Sequence, residues 1–322
     1  MILCCGEALI DMVPFRSSDG KTGFFPYPGG SPYNTAIAIG RLGVPAYFLG
    51  RFSKDFFGDM LIQRLADNNV KTDLIIRSDK PAALAFVNLE AGKEPQYVFY
   101  TEGTADRSFS PPDIPSELPK EIRCILFGSI AMTMEPVATA IESLIYRETK
   151  RGKEAPILSV DPNIRPFMIR DSVEYIKRFE RWVKASTIVK ISAADLAFIY
   201  PALALEAALQ RLVSLGPRLA VATLGPDGAT ALLRQDSGNL IASTVPAPEV
   251  MVVDTIGAGD AFHGALLSWL ELKAKMAHTA LASLTEGELT EALSFANKAA
   301  SLVCTRPGAE PPAFAEVAAL DL

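Results

Sequence analysis

The segment of the chain best suited to chemistry is residues 252–264, with the sequence VVDTIGAGDAFHG. A strand or loop ending at Asp254 leads into Gly-Ala-Gly-Asp at 257–260, and a helix with small residues on one side follows. Glycines at a helix start let the backbone approach a ligand, and the free N–H groups and the helix dipole there bind an anion. A carboxylate at Asp260 can take a proton from an attacking hydroxyl. An anion hole beside a general base is what phosphoryl transfer requires.

The same residues also fit a plain helix start, in which Asp260 only caps the helix or complements its dipole. Two other nucleotide-binding motifs are absent from the sequence. These are G-x-x-x-x-G-K-[ST], which is typical of P-loop enzymes, and G-x-G-x-x-G in the first strand–helix unit, which is typical of nicotinamide-binding enzymes. The sequence therefore excludes a P-loop enzyme and disfavours a Rossmann oxidoreductase.

Strand and helix patterns alternate along most of the chain. Apolar runs predict strands at 2–5, 46–50, 124–127, 157–160, 187–190 and 219–223. Helical spacing of apolar residues predicts helices at 31–42, 56–68, 136–150, 172–185 and within 193–214. This alternation predicts a parallel sheet covered by helices on both faces. Residues 274–287 are expected to form a loop between two helices.

Two stretches, residues 9–28 and 82–100, interrupt the alternation. The first has a turn signal at Asp19 and Gly20, and the second resembles a hairpin with its turn near Gly92. Neither is followed by a helix before the next strand. We expect them to form antiparallel strands of a small flap beside the main sheet, with ordinary edge hairpins as the alternative.

The bulk composition limits the class of protein. The 322 residues are 49% hydrophobic and 21% charged, with a formal net charge of -6, which suits a globular protein with a substantial core. Because phosphate neutralisation drives nucleic-acid binding, an acidic chain is not expected to have DNA or RNA as its main partner. No apolar run approaches the ~18 residues that a membrane span requires. The first 15 residues lack a basic segment, and they predict a strand, not a signal peptide.

The four cysteines lack the C-x-x-C spacing of a zinc or redox site. Three of them, Cys4, Cys124 and Cys304, lie inside apolar runs and are expected to be small core residues. The fourth, Cys5, adjoins Cys4. Scattered free thiols favour a cytoplasmic protein.

Three segments together resemble one family. DTIGAGDAF at 254–262 is similar to the D-T-x-G-A-G-D signature of the ribokinase-like (pfkB) carbohydrate kinases, GGSPYNTA at 29–36 resembles a second signature, and GEALID at 6–11 resembles the family start. The resemblance implies an α/β fold with a three-layer α/β/α core, a mostly parallel central sheet and a small β-strand lid. The implied core comprises residues 1–8, 29–81 and 103–322, and the implied lid comprises 9–28 and 82–102.

The resemblance also implies a reaction and its residues. The reaction is transfer of the γ-phosphoryl group of ATP to a primary hydroxyl of a sugar. Asp260 would be the base, and the backbone of Gly257, Ala258 and Gly259 would form the anion hole. The implied sugar contacts are Asp11, Gly29, Gly30, Asn34, Phe99, Arg107 and Arg165. The implied nucleotide contacts are Lys190, Thr223, Gly225, Gly228 and Asn297.

Metal roles are implied for two carboxylates. Asp254 is similar to a residue that positions a monovalent cation such as K⁺, near a last loop that contains Gly308. Many relatives carry N-x-x-E, whose glutamate holds Mg²⁺ through water, whereas this chain has Ser192 and Asp195 at the matching positions. Since aspartate is one methylene shorter, Mg²⁺ is expected to be held mainly by the ATP phosphates and water, with a weaker role for Asp195.

Two further segments bear on which sugar is the phosphoryl acceptor. Asp161-Pro-Asn-Ile-Arg165 resembles fructokinases and 2-keto-3-deoxygluconate kinases, and the run around Arg107 resembles bacterial fructokinases. Thr101 stands where relatives that bind acidic sugars have arginine, which makes an acidic acceptor less attractive. The expected acceptor is the 6-hydroxyl of D-fructose. The alternatives are another sugar kinase of this fold, acting on 2-keto-3-deoxygluconate or ribose, and a non-catalytic sugar-binding protein.

For several residues, a purely structural role is the alternative to a ligand contact. Arg107 could contact the sugar or the flap, or serve only in packing, and Arg165 could form a surface salt bridge. The turn containing Gly225 could be a plain hairpin turn, and Asn297 could be an ordinary polar helix position. Because flaps of this type can pair between subunits, a homodimer is also expected as an assembly.

Overall fold

A computed structural model describes residues 1–88 and 96–320. The larger of its two sheets has ten strands. In chain order they are β1 (Ile2–Cys5), β4 (Ala46–Ser53), β5 (Val70–Lys71), β6 (Ile75–Ser78), β9 (Cys124–Gly128), β10 (Ile157–Asp161), β11 (Ile188–Ser192), β12 (Leu219–Thr223), β13 (Ala229–Arg234) and β14 (Leu240–Val245). The smaller sheet contains β2 (Leu9–Arg16), β3 (Thr22–Gly29), β7 (Ala83–Asn88) and β8 (Gln96–Tyr100).

The large sheet runs in the order β14-β13-β12-β11-β10-β9-β1-β4-β5, and β6 pairs with β4. Its strands are parallel from β12 to β5, while β13 and β14 are antiparallel. The central strands β1, β9 and β10 are buried along their whole length. Their continuous apolar sequences are typical of parallel strands that are covered on both faces.

Helices cover both faces of this sheet. Within the described residues they are α1 (Ser31–Arg41), α2 (Phe56–Asp67), α3 (Val137–Thr149), α4 (Ser172–Ala185), α5 (Ala193–Ile199), α6 (Leu205–Leu215), α7 (Ala258–Leu272), α8 (His278–Ala282), α9 (Glu286–Cys304) and α10 (Phe314–Ala319). One apolar cluster joins the sheet to α1, α7 and α9, and a second joins its other face to α3, α4 and α6. The predicted three-layer arrangement is therefore confirmed.

The small sheet has the order β3-β2-β7-β8. β2 pairs antiparallel with β3, and β7 pairs antiparallel with β8, as the sequence predicts. β2 and β7 are parallel, however, so the prediction of antiparallel strands is wrong for the central pair. The turn at Asp19 and Gly20 is confirmed by a hydrogen bond of 2.9 Å from Gly20 N to Ser17 O. The turn predicted near Gly92 lies outside the described residues.

Other differences from the sequence-based expectations are local. The helices predicted within 193–214 are confirmed as α5 and α6, whereas the loop expected at 274–287 contains the short helix α8. Cys4 and Cys124 are buried as predicted, but Cys304 is only partly buried, because it ends α9 beside an open cavity. Within the described ranges, no helix is both long and apolar enough to cross a bilayer.

Helices α1 and α7 pack closely against each other. At Gly264, on α7, an added Cβ would lie 2.8 Å from Ala38 Cβ and 3.1 Å from Thr35 O on α1. A side chain at this position would therefore push the helices apart. The close approach brings the first turn of α1 against the first turn of α7, where Asp260 lies.

Candidate functional site

The first turn of α7 lies beside the ends of several parallel strands, the usual place for a site in an α/β sheet. Gly257 caps the helix with φ 79°, a left-handed conformation that favours glycine. An added Cβ there would also lie 2.6 Å from Ala309 Cβ. The first N–H groups of a helix have no partner within the helix. Ala258 N makes a long bond of 3.3 Å to Thr255 O, so the turn from Gly257 to Gly259 presents donors at a positive helix end.

Asp260 is 8% exposed and its two carboxylate oxygens are held by α1. Ser31 Oγ donates to Asp260 Oδ1 at 2.6 Å, and Asn34 Nδ2 donates to Asp260 Oδ2 at 3.0 Å. Burial raises the pKa of Asp260, while the bonds from Ser31 and Asn34 act in the opposite direction. The carboxylate is thus a stronger base than an exposed aspartate, in a fixed orientation.

A polar cavity of about 350 Å³ opens in front of Asp260. It brings together the following predicted residues: Asp11, Gly30, Asn34, Phe99, Arg165, Lys190, Gly257 and Gly259. Gly29 lies behind Asp11, because an added Cβ at Gly29 would overlap the Asp11 carboxylate. Burial and the charge of Asp260 raise the pKa of Asp11 to about 7, and Arg165 opposes them. Groups that can donate hydrogen bonds to hydroxyls, or accept them, therefore line one continuous cavity.

Aromatic rings close one side of this cavity. Tyr97 and Phe99, both on β8, stack with centroids 5.9 Å apart, and Phe99 stacks on Phe167 at 5.8 Å. Phe167 follows Arg165 on the core side. The stacked rings therefore join the small sheet to the core at the edge of the cavity.

Two cationic side chains line the polar cavity. Arg165 Nη1 donates to Asn163 Oδ1 at 2.8 Å and to Ile164 O at 3.1 Å, which fixes its direction. Lys190 Nζ forms a buried ion pair of 2.7 Å with Asp161 Oδ2. Burial lowers the pKa of Lys190, but the Asp161 carboxylate outweighs it, so the net pKa is raised. Lys190 thus stays charged. It lines the polar cavity, whereas the family resemblance implied a contact with the nucleotide.

A second cavity, of about 670 Å³, lies on the other side of the same turn. It contains the predicted residues Thr223, Gly225, Gly228, Ala258 and Asn297. Its remaining wall is mainly apolar, with Pro226, Val250, Val252, Phe262 and Ala300. Thr255 and Gly259 line both cavities. The glycine turn is therefore the point at which ligands in the two cavities would meet.

Asn297 and Gly228 shape the second cavity through the backbone. Asn297 is buried on α9, and its Nδ2 donates to Val245 O at 2.9 Å and to Pro246 O at 3.2 Å. At Gly228 an added Cβ would collide with the same carbonyl of Val245. Asn297 thus holds the chain that follows β14 against α9, and Gly228 lets the turn after β12 approach the same chain.

The carboxylates predicted to act near metals have backbone partners. Asp254 accepts bonds from Ile256 N at 3.0 Å and from Gly308 N at 2.9 Å, so it joins the predicted last loop to the glycine turn. Asp195 Oδ1 accepts a bond from Ile164 N at 3.2 Å. Burial and the nearby Asp161 charge raise the pKa of Asp195. Across the described residues, no group of three His, Cys, Asp or Glu side chains is placed to hold a metal.

Arg107 is not brought into the cavity with Asp260. It lines a neighbouring groove and pairs with Glu102 at 2.5 Å. Thr101 lies in the same groove. Of the residues that line this groove, only Phe99 also lines the polar cavity in front of Asp260. The structure therefore favours the flap contact over the sugar contact for Arg107.

Sequence reasoning missed two residues around Asp260. Ser31 contacts the carboxylate directly, and Glu7 contacts Ser31 through the Ser31 N–H at 3.2 Å. Both lie inside the segments that carry the family resemblance, at 6–11 and 29–36. Their chemical types, a hydroxyl and a carboxylate next to glycine, were the available signal.

Comparisons with known proteins agree with this geometry. Residues 1–315 match the family described as pfkB family carbohydrate kinase. A fructokinase of Rhizobium leguminosarum bv. trifolii is 37% identical over 289 residues, covering 90% of this chain and 85% of the relative. The crystal structure of fructokinase with bound ATP from Xylella fastidiosa has a TM-score of 0.87 at 28% identity, covering 98% and 96% of the two chains. That of Vibrio cholerae O395 fructokinase, in a fructose, ADP and calcium ion bound form, has a TM-score of 0.82 at 27% identity, covering 99% and 97%.

Proposed function

Because the chain belongs to the pfkB family of carbohydrate kinases, we propose that it transfers the γ-phosphoryl group of ATP to the 6-hydroxyl of D-fructose. The observation that carries the proposal is the position of Asp260, in a glycine-started helix turn where a polar cavity and a mainly apolar cavity meet. The similar proteins named above are fructokinases, one with bound ATP and one with fructose and ADP.

In the proposed mechanism, Asp260 accepts the proton of the attacking hydroxyl. Its burial raises its basicity, and the bonds from Ser31 and Asn34 keep it oriented. The N–H groups at Gly257 and Gly259 stabilise the negative charge on the transferring phosphoryl group. Lys190 adds a positive charge at the same place, since an added Cβ at Gly259 would lie 3.1 Å from Lys190 Nζ.

We assign sugar binding to the polar cavity. Asp11 and Asn34 offer carboxylate and amide groups for hydroxyls, and Gly30 leaves room for the ring. Phe99 provides an apolar surface at one end. Arg165, which has donors beyond the Nη1 group that is already bonded, binds either a sugar oxygen or a phosphate oxygen.

ATP is proposed to occupy the mainly apolar cavity, with its γ-phosphate at the shared glycine turn. Mg²⁺, when bound, supplies positive charge to the phosphate oxygens. Asp161 and Asp195 are close enough for one charge to raise the pKa of the other, and such a pair is relieved by a nearby cation. Asp195 would contact the Mg²⁺ ion through a water molecule. A K⁺ site is proposed beside the loop that Asp254 joins to Gly308.

The small sheet is proposed to act as a lid over the sugar. The proposed lid comprises residues 9–28 and 82–102, and the core comprises the remainder of the chain. Asp11 and Phe99 reach the cavity from the small sheet, while Asp260 and Arg165 reach it from the core. A sugar held between these groups would be shielded from water, which otherwise competes as the phosphoryl acceptor. The reaction is proposed to take place in the cytoplasm, where thiols such as Cys4 stay reduced.

A homodimer formed through the small sheets is a further part of the proposal. One face of this sheet carries Phe24, Phe86, Val98 and Tyr100, with Val98 55% exposed and Tyr100 60% exposed. Phe86 packs edge-on against both Phe24 and Tyr100, at 5.0 and 5.6 Å. A contiguous exposed apolar patch of this kind is typical of an interaction surface.

Light scattering at micromolar concentration tests the dimer. We expect the mass of two chains for the protein and of one chain for Val98→Lys. Val173→Lys serves as the matched control, because Val173 is an exposed valine on α4, 62% exposed against 55% for Val98. A single-chain mass for the unmodified protein would overturn this part of the proposal.

The decisive test of function is ADP release from ATP and Mg²⁺ across a panel of acceptors. The panel contains fructose, ribose, 2-keto-3-deoxygluconate, tagatose, adenosine and fructose 6-phosphate. We expect fructose to have the highest kcat/KM by at least ~10-fold, a difference of about 1.4 kcal/mol in transition-state binding. Strong preference for another sugar would replace the acceptor and keep the mechanism, while no turnover of any acceptor would favour a sugar-binding protein.

A further inference from the structure

Glu7 lies where the chain first leaves the large sheet for the small one, between the end of β1 at Cys5 and the start of β2 at Leu9. Its side chain points inward and is 2% exposed. Glu7 Oε1 accepts a bond from Ser31 N at 3.2 Å, and Glu7 Oε2 accepts one from Ala131 N at 3.1 Å. The Ser129 hydroxyl is a further hydrogen-bond partner. A carboxylate this deeply buried is tolerated only when such donors satisfy it.

Ser31 lies where the chain returns from the small sheet to the core. It is the first residue of α1 and follows the end of β3 at Gly29 by two positions. Its backbone N–H is bound by Glu7 and its side-chain hydroxyl is bound to Asp260. Ser31 therefore connects the outgoing and returning crossings of the chain to the catalytic turn of α7.

Ala131 and Ser129 extend the connection to a third element. Both follow β9, and Ser129 lines the polar cavity beside Glu7. Ser129 has φ 60°, an unfavourable backbone conformation for a residue other than glycine, so neighbouring contacts must hold it there. The Glu7 carboxylate supplies bonds to both residues of this turn.

We infer that Glu7 is a positioning residue, which sets the Asp260 carboxylate through Ser31 and the cavity wall through Ser129 and Ala131. The inference rests on the proposed role of Asp260 as the base. Glu7 accepts bonds from the backbone N–H groups of Ser31 and Ala131, and Ser31 in turn bonds to Asp260. General-base catalysis depends on reach, because a proton acceptor must lie within hydrogen-bond distance of the attacking hydroxyl. A displacement near 1 Å can cost ~100-fold in rate.

The test is a double-mutant cycle with Glu7→Gln and Ser31→Ala. Glutamine has the same shape as glutamate, but its NH₂ group cannot accept, so one of the two backbone N–H bonds is lost. We expect Ser31→Ala to lower kcat for fructose ~10-fold with KM for ATP unchanged. We expect Glu7→Gln to lower kcat ~10-fold and to raise KM for fructose. The double variant should lose ~10- to 30-fold, well short of the ~100-fold that independent effects would give.

Two further variants separate positioning from general stability. Ser31→Thr keeps the hydroxyl, and we expect it to retain kcat within ~3-fold of the unmodified enzyme. Glu148→Gln changes another buried carboxylate, which lies on α3 away from both cavities and pairs with Arg147 and Arg151. It should lower the melting temperature with little change in kcat of the folded protein. Near-native kcat in folded Glu7→Gln, or independent losses in the double variant, would overturn the inference.

Failure of the proposed function would be visible separately. Turnover by the unmodified enzyme tests the function, whereas the coupling between Glu7 and Ser31 tests the positioning. If no acceptor is phosphorylated, the same four proteins can be compared by thermal unfolding. Coupled losses of stability would then still show that the two residues form one unit, and additive losses would reject it.

Discussion

The two cavities that meet at the first turn of α7 are built differently. The cavity in front of Asp260 is polar and charged, with Glu7, Asp11, Arg165 and Lys190 in its wall. The cavity behind the turn is mainly apolar, and it is shaped by glycine, proline and backbone carbonyls. A sugar presents hydroxyl groups in every direction, so it has to be oriented by many polar groups. A purine base is flat with two broad ring faces, so an apolar cavity of matching shape can hold much of its surface with few polar groups.

The contrast between the cavities predicts which substitutions should change the kinetics most. In the proposed mechanism, side chains on the polar side act directly on the reacting hydroxyl, so their loss should change the chemical step or the affinity for sugar. On the apolar side, residues such as Asn297 act by holding backbone, and single changes should have smaller effects on ATP affinity. The predictions below test this contrast, beginning with the residue at the junction.

Asp260→Asn is expected to have the largest effect. Asparagine keeps the shape of the side chain but cannot accept the proton, so kcat for fructose should fall by roughly 10²–10⁴-fold. Asparagine can still bond to Ser31 and Asn34, so the fold and the ATP affinity should be retained. ADP release and calorimetric ATP titration check the two parts. Near-native turnover in this variant would mean that another group is the base.

Gly257→Ala tests the anion hole at the junction. The new Cβ would lie 2.6 Å from Ala309 and would strain a residue at φ 79°, so the N–H groups of the turn should move. Loss of one such donor costs about 10²–10³-fold in kcat. Gly238→Ala is the matched control, because Gly238 has φ 86° and open space around it. If both variants lose the same activity, backbone strain and not the anion hole explains the result.

Asp11→Asn tests the polar cavity. Loss of the charged acceptor should raise KM for fructose by roughly 10-fold, since hydrogen bonds to charged groups contribute about 1.5–3 kcal/mol. KM for ATP should stay within 2-fold, on the order of the precision of such a measurement. Asp19→Asn, an exposed carboxylate at the turn of the same sheet, is the control. A rise in KM for ATP would show that the two cavities are not independent.

Asn297→Ala tests the mainly apolar cavity. Two bonds to the backbone after β14 are lost, so KM for ATP should rise by roughly 3- to 10-fold, equivalent to about 1 kcal/mol. KM for fructose should not change. Asn68→Ala removes a comparable amide bond, of 2.7 Å to Arg64 O, away from both cavities. Steady-state kinetics with each substrate varied in turn measures the effect.

The pH dependence of stability tests the charge of Asp11 without a measurement of turnover. The pKa of Asp11, raised to about 7 in the folded chain, exceeds the ordinary value of 3.8. The folded state therefore binds this proton more tightly than the unfolded state, and the associated stability is lost as pH rises from 3.8 to about 7. Asp11→Asn should thus gain melting temperature relative to the unmodified protein more at pH 8 than at pH 5. An equal difference at both pH values would contradict the shift.

Much of the fold could be predicted from local sequence. Helix α4 begins at Ser172 because Asp171 caps it, with Asp171 Oδ1 accepting bonds from Val173 N and Glu174 N, and the pattern gave the same bounds. The buried strands at Ile157 and Leu219 were equally clear. The glycine turn before Asp260 was identified because its chemistry lies in consecutive residues.

Pairings between distant residues could not be predicted in the same way. Ser31 and Asp260 are 229 positions apart, and nothing local marks the bond between them. The parallel pairing of β2 with β7 also depends on how two separate hairpins meet, which strand propensity does not determine. The direction of Lys190, which lines the polar cavity, is set by its ion pair with the buried Asp161, 29 positions away, and local sequence does not reveal this pair.

The contact at Gly264 keeps α1 close enough to α7 for Ser31 and Asn34 to bond to Asp260. The hydrogen bonds from Ser31 and Asn34 cross the gap between α1 and α7. They are lost if the gap widens enough to take donor and acceptor beyond hydrogen-bond distance. The width of this gap is set one turn further along α7, at Gly264, where glycine has a hydrogen atom in place of a side chain. Under the proposed mechanism, kcat should therefore depend on steric bulk at Gly264, a core position that is not among the residues lining either cavity.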